Sequence, residues 1–279
     1  MNTSTITLTA QDLTDLKWAH KHLEHPSFAI RLSSTLGTPI ETGLQLLPQR
    51  WQNRLQAVVE FSIRKTLDAA IISMGHIPPS EAHDYLHKFI AMGNGALGGF
   101  LGAPALVAEV PITTALMLRS IADIAHSQGE DLSTLEARLA CMEVFALGGR
   151  SLEDDAADTG YYGLRITLGF HFTRVAGFTS NGTGTNVPAV IDLVRAIAAR
   201  FGIAVSDKAA LKMIPVTGAL SGALINLIFV QHFQDMARGH FIVRRLERKH
   251  GSDVIKIEYE RLTREEAEAK KGYSNLEGW

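Results

Sequence analysis

The chain has 279 residues, 46% of them apolar and 20% charged, with 27 Lys and Arg against 29 Asp and Glu. This composition excludes a disordered chain, and the near-neutral charge removes any global field that would point to nucleic acid or an anionic surface. A single cysteine, Cys141, rules out an intrachain disulfide and fits a reducing compartment. No basic-then-apolar segment opens the sequence, so a cytoplasmic location is expected, extending at most to the inner face of the membrane.

In chain order, helix signals dominate. "TAQDLTDLKWAHKHLEH" places Leu13, Leu16, Trp18 and Leu23 at helical spacing, with a break at Pro26. "PQRWQNRLQAVVEFSIRKTLDAAIISMG" predicts a long amphipathic helix, begun by Pro48 and ended by Gly75. "PPSEAHDYLHKFIAMG" starts another, capped by Ser80. Pro111 is expected to open a helix that Gly129 closes. Ser133 and Glu136 then form a Ser-x-x-Glu capping box for "LSTLEARLACMEVFALGG". "RSLEDDAADTGYYGLR" is polar and suits a lid or connector, and "AGFTSNGTGTNVPA" is a loop by composition. "VPAVIDLVRAIAARFG" and the long run from Ser206 to Gly251 complete the helical set. Strand-like alternation is nearly absent, so the expected class is all-α: one compact multi-helix bundle.

The stretch "NGALGGFLGAPALVAEVP" admits three readings. Gly93 to Gly98 match Gly-x-Gly-x-x-Gly, but a dinucleotide site needs a preceding strand, and "HDYLHKFIAM" is helical. Phe89–Ala108 and Met213–Gln234 carry no charge over 20 and 22 residues. At about 1.5 Å per residue, each is long enough to cross the hydrocarbon layer. The first, however, has few large side chains to offer lipid. The third reading is close helix packing. Gly95/Gly99 and Gly98/Gly102 have the four-residue spacing that brings backbones together, and Gly218/Gly222 repeat it. A glycine in a helix costs about 1 kcal/mol relative to alanine, which such contact must recover. A Gly-rich central helix pair wrapped by amphipathic helices is therefore expected.

"GALGGFLGAPALVAEVPITTALMLRSIADIAHSQGED" and "KMIPVTGALSGALINLIFVQHFQDMARGHFIVRRLE" resemble conserved blocks of the EcsC protein family. These bacterial proteins are named after a gene beside the two components of an ABC transporter. The resemblance implies a helical domain over residues 1–246, with 247–279 as a charged helix and tail, and suggests a link to membrane transport. It implies no catalytic residue and no cofactor.

Among polar residues in the apolar centre, Glu109 is the only charge between Lys88 and Arg119. Ahead of a helix opened by Pro111, it would lie at the positive end of the dipole. Arg119 and Asp123 are spaced for an ion pair, and on one continuous helix they share an arc of about 80° with Glu109. Asn226 is placed to hydrogen-bond across the apolar segments. His83/His87 and the run His20, His22, His25 lack a third metal ligand at fixed spacing, so no metal site is expected. Glu153, Asp154, Asp155 and Asp158 lack calcium-loop spacing. Ser221 is not in a nucleophile elbow, and Cys141 suits apolar packing.

The expected function is a non-enzymatic accessory protein that binds a lipid or apolar ligand or meets the membrane peripherally, without nucleic acid. One alternative is a hydrolase-type enzyme around Glu109, Arg119 and Asp123, joined by residues of "EDDAADTGYYGLR". Another is a helical scaffold or homodimer.

Overall fold

The computed structural model describes residues 8–24, 49–72, 103–149, 160–179, 187–213 and 218–276. Among them lie eight helices and no strand: α1 (Ala10–Glu24), α2 (Gln49–Ile72), α3 (Ala103–Ser127), α4 (Leu135–Leu147), α5 (Tyr161–Thr179), α6 (Val187–Met213), α7 (Gly218–His250) and α8 (Ser252–Leu276).

The most enclosed of these is α4. From Leu139 to Leu147 every side chain is buried, and the helix packs against α2, α3, α5, α6 and α7. Over that stretch Glu143 is the one charged residue among apolar ones, and a segment apolar on nearly all sides packs into the interior. Around it, Phe145, Phe201 and Phe233 form an edge-on aromatic knot between α4, α6 and α7, with ring centroids 5.2 Å and 5.4 Å apart for the Phe145–Phe201 and Phe201–Phe233 pairs. The end of α4 abuts α6 so closely that a Cβ on Gly149 would sit 2.0 Å from the Arg200 carbonyl oxygen. Helices α3 and α7 pack on each other and on α6. Gly95, Gly98 and Gly99 lie outside the described residues, as does Gly102. Gly218 and Gly222 lie on the first turns of α7, where side-chain surroundings are not described.

Several local expectations change. Helix α3 begins at Ala103, with Pro111 inside it, so Glu109 lies mid-helix and not ahead of an N-terminus. Its end is as expected: Gly129 takes φ +81°, and the Glu130 N–H reaches the Ala125 carbonyl. The cap of α4 is Thr134, whose hydroxyl accepts the Ala137 N–H, and not Ser133. The Ser133 N–H is instead satisfied by the Asp131 side chain, and the Glu136 carboxylate turns to Arg244. Helix α6 continues through Gly202, where the absent side chain makes room for Gln56 and Val59 of α2. The "YYGLR" expected in a connector opens α5, a helix absent from the sequence expectations. Helix α8 is docked through Ile255, Tyr259 and Leu262, which are buried, and packs on α7 and α1.

Candidate functional site

Helix α7 carries a line of buried polar side chains: Asn226, His232, Gln234 and His240. Burying such groups is costly unless they are paired. The Gln234 amide donates to Ser120 Oγ of α3 at 2.8 Å, and His232 Nε2 lies 2.7 Å from the Gly148 carbonyl at the end of α4. Two further sets surround Asn226 and His240.

At the first, Lys208 of α6 is 1% exposed. Its ammonium donates to Glu109 Oε1 of α3 at 2.6 Å and to Asn226 Oδ1 of α7 at 2.5 Å. It also lies 4.5 Å from the centroid of the Phe229 ring, a cation–π geometry. Three helices thus meet on one buried charge. Asn226 does bond across helices, but to Lys208, and Glu109 finds an ammonium in place of a helix dipole.

Of the other residues expected beside Glu109, Asp123 is buried and Arg119 is exposed. Glu109 and Asp123 are separated by about 21 Å along α3 at 1.5 Å per residue, so the three do not converge on one ligand. His83 and His87 lie outside the described residues, as do His25 and the acidic run at 153–158. His20 contacts Thr263 at 3.0 Å, and His22 stacks on Trp18. Among the described residues no group of three His, Cys, Asp or Glu side chains could hold a metal. Cys141 is fully buried in the core, where desolvation pushes its thiol pKa up and leaves it unreactive.

The second set fastens the start of α5. The Tyr161 hydroxyl lies 2.9 Å from His240 Nδ1, and the other ring nitrogen, Nε2, lies 3.6 Å from Glu143 Oε2 of α4. All three residues are buried. The Tyr162 hydroxyl and the Arg165 guanidinium both donate to Glu247 Oε1, at 2.9 Å and 2.8 Å. Glu24 of α1 accepts the Tyr161 N–H at 3.0 Å and the Tyr259 hydroxyl at 2.9 Å. Desolvation raises the Glu143 pKa to about 7, against the opposing pull of Arg165 and Arg244. Desolvation and those same two cations hold His240 well below the usual histidine range, so the imidazole is neutral.

Beyond this anchor, α5 turns Leu164, Leu168 and Val175 inward and leaves Ile166 and Phe170 67% and 65% exposed. Those two are one helical turn apart, and the Arg174 guanidinium lies 5.9 Å from the Phe170 ring centroid. The other large exposed apolar side chains among the described residues, Phe61, Ile112, Leu224 and Ile257, fall on four different helices.

No sequence motif marks Lys208, Glu143 or His240, but Lys208 and His240 carry a periodic signal. Phe201, Ala204, Val205 and Lys208 follow i, i+3, i+4, i+7, as do Phe233, Met236, Ala237 and His240. A polar residue in register on an apolar stripe marks a buried group.

Against known proteins, the model of the EcsC protein family matches residues 14–246. No curated protein and no solved structure matches the chain.

Proposed function

The chain belongs to the EcsC protein family, and from that premise we propose that it is a non-enzymatic accessory protein that meets a membrane surface through the outward face of α5. One observation carries the reading: Ile166 and Phe170 form an exposed apolar pair on a helix whose opposite face is fixed in the core. Large apolar side chains set together on a helix suit the boundary between headgroups and acyl chains; Arg174, one turn on, is ion-paired with Asp192 of α6 at 3.3 Å. The proposed contact is peripheral; no helix among the described residues is long and apolar enough to cross a membrane. A place at the inner face of the membrane, beside a transport system, is part of the same proposal and is supported by the family resemblance alone.

Transfer of Ile and Phe out of water is worth about 2 kcal/mol each. Together that is nearly three decades of partition, the scale of a weak and reversible anchor. The alternative enzymatic reading draws less support, because Lys208, Glu109, Tyr161, His240 and Glu143 are sealed inside the packing and oriented toward one another.

Co-sedimentation with phosphatidylcholine/phosphatidylglycerol vesicles tests the proposal. The wild-type chain is expected to pellet, and Ile166→Asp/Phe170→Asp to stay in the supernatant with its far-ultraviolet circular dichroism unchanged. Equal pelleting of the two, or no pelleting of either, overturns it. So does a change in oligomeric state without any change in vesicle binding, which would assign the face to a second copy of the chain.

A further inference from the structure

Helix α5 has α4 and α6 as its main helix partners. Its ties to α7 and α1 are polar and crowd into its first turns, at Tyr161, Tyr162 and Arg165. At the centre of those ties is an incomplete hydrogen-bond chain. Tyr161 reaches His240 Nδ1, but His240 Nε2 is buried and, among the described residues, has no hydrogen-bond partner. The nearest polar atom recorded for it is Glu143 Oε2, at 3.6 Å. An ionised carboxylate and a neutral imidazole can complete this chain only if the ring's proton sits on Nε2. The Tyr161 hydroxyl must then donate to Nδ1. A protonated carboxyl can donate to Nε2 itself and complete the chain in the opposite sense. The two arrangements differ by one proton: the second is neutral, and loss of the Glu143 proton to water converts it into the first, which carries an uncompensated negative charge in the buried cluster.

We propose that Glu143, His240 and Tyr161 form a proton-held latch on the first turns of α5: a proton on Glu143 keeps the helix docked, and its loss to water loosens α5 from α7. Among the described residues, the titratable and charged groups facing Glu143 are Tyr161 and Arg165 from α5 and His240, Arg244 and Glu247 from α7. Arg165 and Arg244 favour the carboxylate and Glu247 opposes it, but burial outweighs both cations and places the titration near neutrality. Opening α5 hydrates the carboxyl and returns it to the ordinary carboxylate range, so docking and protonation are thermodynamically linked. Because α5 carries Ile166 and Phe170, the latch also regulates how firmly that face is presented. This last consequence alone rests on the membrane reading above.

Hydrogen–deuterium exchange without vesicles, at pH 6 and pH 8 and normalised to intrinsic exchange rates, reads the latch directly. Linkage with titration near pH 7 predicts about a tenfold loss of protection in α5 peptides between the two pH values, with α2 unchanged. Glu143→Gln is expected to abolish the step. Tyr161→Phe, which keeps the ring, is expected to lower α5 protection already at pH 6. The wild-type measurement decides the matter even where a variant fails to fold: equal α5 protection at both pH values overturns the latch. Vesicle co-sedimentation at the same pH values is a separate readout. A pH step in exchange without vesicle binding upholds the latch and overturns only the membrane reading.

Discussion

Lys208 offers the sharpest test of how this bundle is held together. Its ammonium lies 2.6 Å from Glu109 Oε1 with both side chains almost fully buried. At an effective dielectric of about 20, unit charges at that separation attract by about 6 kcal/mol. Desolvation of two ions, at several kcal/mol each, consumes most of that gain. The pair is therefore worth little beside an apolar substitute, yet removing one partner strands the other and costs about 3–5 kcal/mol. Lys208→Met and Glu109→Gln are each expected to lose that amount, a fall of roughly 5–9 °C in Tm for a chain of this size. The double variant, which strands no charge, is expected to lose clearly less than the sum, with a coupling of about 2–3 kcal/mol. Urea denaturation followed by circular dichroism at 222 nm measures all four corners of the cycle. Strict additivity, or a Lys208→Met variant as stable as wild type, would refute the claim that the three helices meet on a desolvated ion pair.

Three other outcomes follow from the geometry. Gly149→Ala would place a methyl group 2.0 Å from the Arg200 carbonyl oxygen. Since that contact is backbone against backbone, a loss of at least about 2 kcal/mol is expected in the same denaturation assay. At the start of α4, Thr134→Ala is expected to cost about 1 kcal/mol, whereas Ser133→Ala should cost a few tenths; reversed values would restore the capping box centred on Ser133. Glu143 holds its proton up to about pH 7 in the folded chain, against the usual 4.5 in the unfolded one. Between those values the folded state binds the extra proton, so the contribution of Glu143 to stability falls as pH rises, by about 3 kcal/mol in all. Stability of wild type minus that of Glu143→Gln should therefore decline across this window and level off above pH 7; a flat difference would show that the carboxyl is not desolvated.

Much of the fold was legible from local chemistry. The apolar periodicity of α1 and α2, the positive-φ glycine ending α3 and the absence of alternating strands act through neighbours in sequence, and these elements formed close to where expected. Where a competing local signal existed, tertiary contact chose between them. Pro111 and Gly202 both resemble helix boundaries, yet each lies inside a helix, because packing against neighbouring helices outweighs the cost of a lost hydrogen bond or an added entropy loss. Helix α5 has no clear amphipathic period and carries Gly163 and Gly169, so its helicity comes from docking on α4 and α6.

The amino-acid sequence by itself determined the class, the family and the apolar stripes, since each depends on composition and on spacing along one chain. Only the tertiary structure decided which polar residues find one another. Glu109 lies 99 residues from Lys208 in sequence, and Glu143 and His240 are about as far apart. No helical period relates positions on different helices. The energy of a buried charge is set by what packing brings within about 3 Å of it, and that distance does not exist until the helices have assembled.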